Sequence, residues 1–100
     1  MKVVFSRIAL AELDGILDHI ATISPGGAIR VEARVREVID RIARYPQGAQ
    51  EVAERPGVRR VSLVRYPYVI YYATEGDAVT ILRILHGARR QPWDESPDPL

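Results

Sequence analysis

Apolar residues recur along the first half of the chain with the spacing of two amphipathic helices. A stripe repeating at three and four residues predicts a helix over residues 7–23, with Ser6 as its N-cap. The dipeptide Ser24-Pro25 ends that helix and begins the next, because proline disfavours helical backbone before it and suits a first turn itself. A second apolar stripe then continues to Tyr45. The two stripes predict a helical hairpin.

Segments of strand character surround this helical hairpin. The strands predicted from β-branched and aromatic residues are 2–5, 58–64, 68–73 and 78–86. The last two flank Glu75-Gly76-Asp77, a sequence typical of a hairpin turn. Residues 46–57, rich in glycine, proline and polar side chains, predict a long loop. The order β-α-α-β-β-β predicts an α+β fold in which the helical hairpin packs on one face of a small antiparallel sheet.

The last two predicted strands carry apolar residues on both faces, whereas a sheet covered on one side alternates apolar and polar residues. Strict alternation places a second apolar set opposite the helices. That set consists of Val69, Tyr71, Val79, Ile81 and Leu85, accompanied by Arg83. Such a face indicates a partner surface. It is also compatible with a curled sheet that the long loop and the tail close.

Composition excludes several classes of protein. The chain has 100 residues, 47% of them apolar and 27% charged, which is typical of one globular domain. It has no cysteine, which excludes disulfides, thiolate metal sites and thiol catalysis. Asp14 and Asp18 lack further ligands at metal-binding spacing, so neither a metal nor a cofactor is expected. Without an apolar run of about 18 residues or a signal peptide, a cytoplasmic protein with no membrane partner is expected.

The net charge of +1 is an average over unlike segments. The predicted helices are neutral, residues 51–90 carry +3 and residues 91–100 carry −3. We expect one domain over residues 1–90, followed by an acidic, proline-rich tail at 91–100. A basic sheet suits nucleic acid or an acidic protein segment. The candidate basic patch consists of Arg59, Arg60, Arg65, His86, Arg89 and Arg90.

Several segments, taken in order, resemble the RelE/ParE superfamily of bacterial toxins. They are Val3-Val4-Phe5-Ser6, Ile42-Ala43-Arg44-Tyr45-Pro46, Val58-Arg59-Arg60, Tyr66-Pro67-Tyr68-Val69-Ile70-Tyr71-Tyr72 and the strand from Val79 to Arg89. The most specific part is the His-Gly-x-Arg ending of that strand. The resemblance spans about residues 2–90 and implies the fold predicted above.

The resemblance implies two alternative activities. ParE-like toxins inhibit DNA gyrase without chemistry of their own, whereas RelE-like toxins are ribosome-dependent mRNA endonucleases. For a nuclease, Arg65, Arg83 and His86 stand at suitable positions. However, the chain has one lysine, Lys2, and no tyrosine after Tyr72, and its ending is more similar to ParE-like members. We therefore expect a gyrase inhibitor of a plasmid-stabilisation system, with no catalytic residues. The alternatives are an mRNA endonuclease and a non-toxic binding module of the same fold.

Either branch implies a cognate antitoxin, ParD-like or of another family, that forms a hetero-oligomer with this chain. Its acidic and apolar C-terminal segment is expected on the second face of the sheet. The residues predicted to bind it are Val69, Tyr71, Val79, Ile81, Arg83 and Leu85. The basic patch is then left for the target, which is gyrase or, alternatively, the ribosome and mRNA.

Overall fold

Both helices begin where the sequence predicts. The computed structural model describes residues 1–87. Its elements are β1 (Lys2–Phe5), α1 (Arg7–Ile23), α2 (Pro25–Arg44), β2 (Gln50–Glu51), β3 (Val58–Ser62), β4 (Tyr68–Glu75) and β5 (Ala78–His86). Ser6 Oγ accepts a hydrogen bond from the Ala9 N–H at 2.9 Å, and Ser24 Oγ accepts one from the Gly27 N–H at 3.0 Å. These bonds satisfy amides of the first helical turns that have no partner within the helix.

The strands form one sheet in the order β1-β5-β4-β3-β2. The last four strands pair antiparallel, whereas β1 pairs parallel with β5, with Val3 opposite Val79. The α+β fold with two helices packed on the sheet is therefore confirmed, but the sheet is mixed rather than antiparallel. A strand as short as β1 has no periodicity that fixes its pairing direction. The predicted loop 46–57 contains β2, whose two residues are too few to show an alternating pattern.

The β4–β5 turn is the predicted hairpin. Glu75 lies opposite Ala78, and Gly76 between them has a φ of +62°. A two-residue turn with glycine first and positive φ has the backbone twist that antiparallel strands require. Local sequence therefore determines this connection.

A β-bulge in β5 corrects the predicted face assignment. Tyr71 lies opposite Arg83 and Tyr72 opposite Ile81, so Leu82 is an extra residue in β5. An extra residue reverses the alternation beyond it. Val79 and Ile81 consequently join the core beneath the helices, together with Ala9, Val31, Val35, Val38, Ile42, Leu63, Ile70, Tyr72 and Ile84. The expectation that Val79 and Ile81 share a face with Val69, Tyr71 and Leu85 is wrong.

A second, smaller core lies on the other face of the sheet. It consists of Val52, Val58, Val69, Tyr71 and Leu85, with Leu82 packed against it. Val52 comes from the loop after β2, and its side chain is 5% exposed. The loop therefore covers part of the second face, as the alternative requires, whereas the acidic tail at 91–100 that completes this alternative lies outside the described residues. The five residues predicted to form an exposed apolar surface are each at most 5% exposed.

Candidate functional site

Arg83 is held by a carboxylate of α1. Its Nε donates to Glu12 Oε2 at 2.9 Å and its Nη2 donates to the same oxygen. The two side chains are 29% and 16% exposed, respectively. The pair joins residues 71 positions apart, and it neutralises an arginine that the sequence places in a binding or catalytic role.

The same carboxylate completes the edge of β5 beyond the end of β1. Its Oε1 accepts the Ile84 N–H at 2.9 Å, and Ser6 Oγ donates to the Leu82 carbonyl at 2.9 Å. Partly buried backbone groups need such partners where strand pairing stops. Glu12 and Ser6 thus hold the bulged segment in place, and Glu12 ties Arg83 to α1.

Arg59 and Arg60 lie on opposite faces of β3. The guanidinium of Arg59 donates to the Ala49 carbonyl at 2.6 Å and to Gln47 Oε1 at 2.7 Å, which fastens the loop to the sheet. The guanidinium of Arg60 lies over the Tyr71 ring, 6.0 Å from its centroid. Successive side chains of a strand point to opposite faces. These two members of the predicted basic patch therefore do not belong to one surface.

Tyr72 anchors the start of the same loop from below. Its hydroxyl donates to the Pro46 carbonyl at 2.8 Å. Burial raises the pKa of the Tyr72 phenol above its ordinary value of 10.0, although the nearby Arg59 guanidinium acts in the opposite direction. The phenol is therefore a neutral donor at physiological pH, and it serves the fold.

Arg65 and His86 lie at the end of the sheet where β3 turns into β4. The turn is closed by the Tyr66 N–H, which donates to the Leu63 carbonyl at 2.8 Å. Arg65 is exposed, with a φ of +80°. His86 lies opposite Tyr68 in the sheet, and their rings meet edge to face with centroids 5.6 Å apart. Arg89 and Arg90, the remaining members of the predicted patch, lie outside the described residues.

A groove lies between α2 and β3, and the sequence prediction missed it. Its volume is about 700 Å³. Val38, Ile42, Val61 and Tyr72 contribute apolar lining, and Arg34, Arg41 and Arg44 contribute cations. Two lining side chains, Tyr45 and Val64, are 65% and 60% exposed. We name this surface the α2–β3 groove. The sequence signal for this groove was the presence of apolar residues, Tyr45 and Val64, at the ends of the second predicted helix and of the predicted strand 58–64.

The described residues contain no group of three histidine, aspartate or glutamate side chains placed to hold a metal ion. Neither helix of this part of the chain has the length and apolar character needed to cross a bilayer.

Comparison with known proteins identifies the family of this fold. The family model for the ParE toxin of the type II toxin–antitoxin system parDE matches residues 3–91. The chain belongs to the ParE toxin family. The toxin RelE2 of Caulobacter vibrioides is 36% identical over 88 residues, covering 88% of this chain and 97% of that protein. The resemblance to RelE/ParE toxins is thereby confirmed.

Solved structures agree with this assignment to the ParE toxin family. The chromosomal ParDE system of P. aeruginosa includes a chain that is 32% identical, with a TM-score of 0.65 over 84% of this chain and 92% of that one. The isolated E. coli RelE toxin superposes with a TM-score of 0.64 at 14% identity, covering 93% of this chain and 90% of that one. The E. coli likeness shows a shared fold alone.

Proposed function

We propose that this ParE-family toxin acts by binding and inhibiting DNA gyrase, without a catalytic step of its own. The observation that carries the proposal is the pairing of Arg83 with Glu12. An arginine that stabilises a cleaving phosphate must present its charge to the substrate. Here the guanidinium is directed to a carboxylate of α1.

The arrangement of the other candidate nuclease residues supports the same proposal. Arg65 is on a turn, whereas His86 packs edge-on against Tyr68. Arg83 lies three residues before His86, about 10 Å back along the strand. Attack by a ribose 2′-OH needs a base, an acid and a charge stabiliser around one phosphate. The contacts that Arg83 makes with Glu12 and His86 makes with Tyr68 do not supply this arrangement.

Two assays with the purified protein test the proposal directly. Supercoiling of relaxed plasmid by gyrase is expected to stop in its presence, while ribosome-bound mRNA stays intact. A His86→Ala variant is expected to inhibit gyrase as the wild type does, if the ring serves packing against Tyr68 alone. Codon-by-codon cleavage of the mRNA with unaffected supercoiling would overturn the proposal in favour of the RelE-like activity. Failure to arrest growth when expressed without antitoxin would favour a non-toxic binding module.

We also propose that the antitoxin partner binds the α2–β3 groove. The second face of the sheet, where the sequence predicts this contact, is closed by Val52. The groove instead offers the exposed side chains of Tyr45 and Val64 beside Arg41 and Arg44. The lining carries three arginines against two acidic residues, Glu37 and Asp40, so its net charge is positive. Apolar anchors in a positively charged groove match a segment that combines acidic and apolar residues.

A charge placed among the apolar anchors tests the α2–β3 groove. Val64→Glu is expected to weaken antitoxin binding by at least about tenfold, because the anchor is lost and a like charge faces the acidic segment. Ile29→Glu is a matched control, since Ile29 is similarly exposed and does not line the groove. Equal binding by the two variants in calorimetry would refute this location.

A further inference from the structure

Three arginines line a smaller cleft beside the α2–β3 groove. Arg30 and Arg34, one helical turn apart on α2, line one side, and Arg65 on the β3–β4 turn lines the other. The volume is about 520 Å³, and the lining is completed by Ala33, Glu37, Val64 and Tyr66. We name this site the arginine cleft. No role is predicted from the sequence for Arg30 or Arg34, and Arg34 also lines the α2–β3 groove.

Charge in the arginine cleft is strongly unbalanced. Glu37 is the one acidic residue in the lining, and its carboxylate already accepts a hydrogen bond from Arg34 Nη1 at 2.9 Å. Arg34 Nε is buried without a hydrogen-bond partner. A donor buried in this way is unfavourable until an acceptor reaches it. An anionic ligand that draws the Arg34 side chain toward it would supply that acceptor.

The backbone at Arg65 is a second, independent observation. Among residues 1–87 it is the one non-glycine residue with positive φ, at the turn position that glycine ordinarily occupies. No hydrogen bond or ion pair within these residues holds its guanidinium, so the strained backbone is not explained by a contact in the fold. Strain of this kind is found where a side chain is needed for function.

We propose that the arginine cleft binds the phosphodiester backbone of a nucleic acid. Guanidinium groups suit phosphate oxygens because they donate two hydrogen bonds in one plane. The cleft offers an acidic peptide few apolar anchors compared with the neighbouring groove, since Tyr66 packs against the core, whereas phosphates need only the arginines. The inference goes beyond gyrase inhibition, which protein contacts alone can produce.

The experiment measures fluorescence anisotropy of labelled single-stranded DNA and RNA, each of about 12 nucleotides, with the full chain. Arg65→Gly and Arg30→Gln are each expected to weaken binding about tenfold. Each is also expected to reduce the slope of log K against log salt by about 1, between about 50 mM and about 200 mM salt. Arg65→Gly removes the guanidinium from a position that glycine favours, so a folded variant is expected, and its melting curve verifies this.

Arg36→Gln is the matched control. Arg36 is also on α2, its side chain is 76% exposed, and it does not line the cleft. Equal loss of affinity in this variant would refute a local site, as would unchanged binding by Arg65→Gly or no binding by the wild type.

Tighter binding of a polyglutamate peptide than of either oligonucleotide would refute the choice of ligand. Similar affinity for DNA and RNA supports recognition of phosphate, and tighter RNA binding adds a contact to the 2′-OH. A wild-type protein that inhibits gyrase but binds neither oligonucleotide would reject this inference and leave the proposed function standing.

Discussion

Removal of the Glu12 carboxylate is expected to destabilise the protein severely. In Glu12→Ala, the hydrogen bonds from Arg83 and from the Ile84 N–H are lost together. The guanidinium, 29% exposed, then loses its ion pair with α1, and the Ile84 amide loses its acceptor at the edge of β5. The variant therefore combines a broken ion pair with an unsatisfied backbone donor.

The structure sets the size of this effect. Removing one partner of a fully buried ion pair costs about 3–5 kcal/mol. Because Arg83 keeps some contact with water, we expect breaking the Glu12–Arg83 pair to lower the free energy of unfolding by about 2 kcal/mol. The unsatisfied Ile84 N–H adds about 1–3 kcal/mol. We expect the free energy of unfolding to fall by about 3–5 kcal/mol in Glu12→Ala, and by about 2 kcal/mol in Glu12→Gln, which keeps an acceptor for the amide.

Urea unfolding followed by circular dichroism measures these changes, provided that the slope m is the same for each variant. A double-mutant cycle with Arg83→Gln is expected to give a coupling energy of at least about 1 kcal/mol. Glu32→Ala is the control, because its exposed pair with Arg36 contributes about 0–1 kcal/mol. If Glu12→Ala and Glu32→Ala lose the same free energy, or if the double mutant is additive, the reasoning is refuted.

Two further predictions concern stability. Arg65→Gly is expected to raise the free energy of unfolding by about 0.5–1 kcal/mol. Glycine removes the left-handed backbone strain of about 1–2 kcal/mol, but it also loses more backbone entropy on folding than arginine does. A lower melting temperature for Arg65→Gly than for Arg65→Ala would contradict this. Tyr72→Phe is expected to cost about 1 kcal/mol at neutral pH through loss of the bond to Pro46. Since the folded pKa of Tyr72 is raised above 10.0, its contribution is complete below that pH and is lost as the pH rises through the folded value. Stability of the wild type should therefore fall more steeply above pH 10 than that of Tyr72→Phe, and parallel pH profiles would reject the assignment.

Local signals in the sequence were sufficient for most of the fold. Ser6 and the Ser24-Pro25 pair set the helix starts, and Gly76 set the hairpin, because each acts on residues within one turn of itself. The two helices and the three longer strands were therefore predictable. The direction of β1 was not, since its partner strand lies more than seventy residues away.

The candidate site was less predictable, because its geometry depends on strand register and on contacts between residues far apart in the chain. Strict alternation along β5 put Ile81 and Leu85 on one face, and no local residue type marked the bulge at Leu82. Likewise, Glu12 looked like one more acidic residue on a helix surface, and its pairing with Arg83 requires the folded sheet. The sequence identified the family and the relevant cations, but it could not show which of them the fold neutralises.

The bulge has a consequence for cooperativity. Ile84 belongs to the core under the helices and Leu85 to the core under the loop, although they are neighbours in the chain. The cores on the two faces of the sheet are therefore both built on β5. Opening the loop that carries Val52 uncovers Leu85 and loosens the backbone next to Ile84. We therefore expect the two hydrophobic cores to unfold as one unit, because β5 contributes side chains to both.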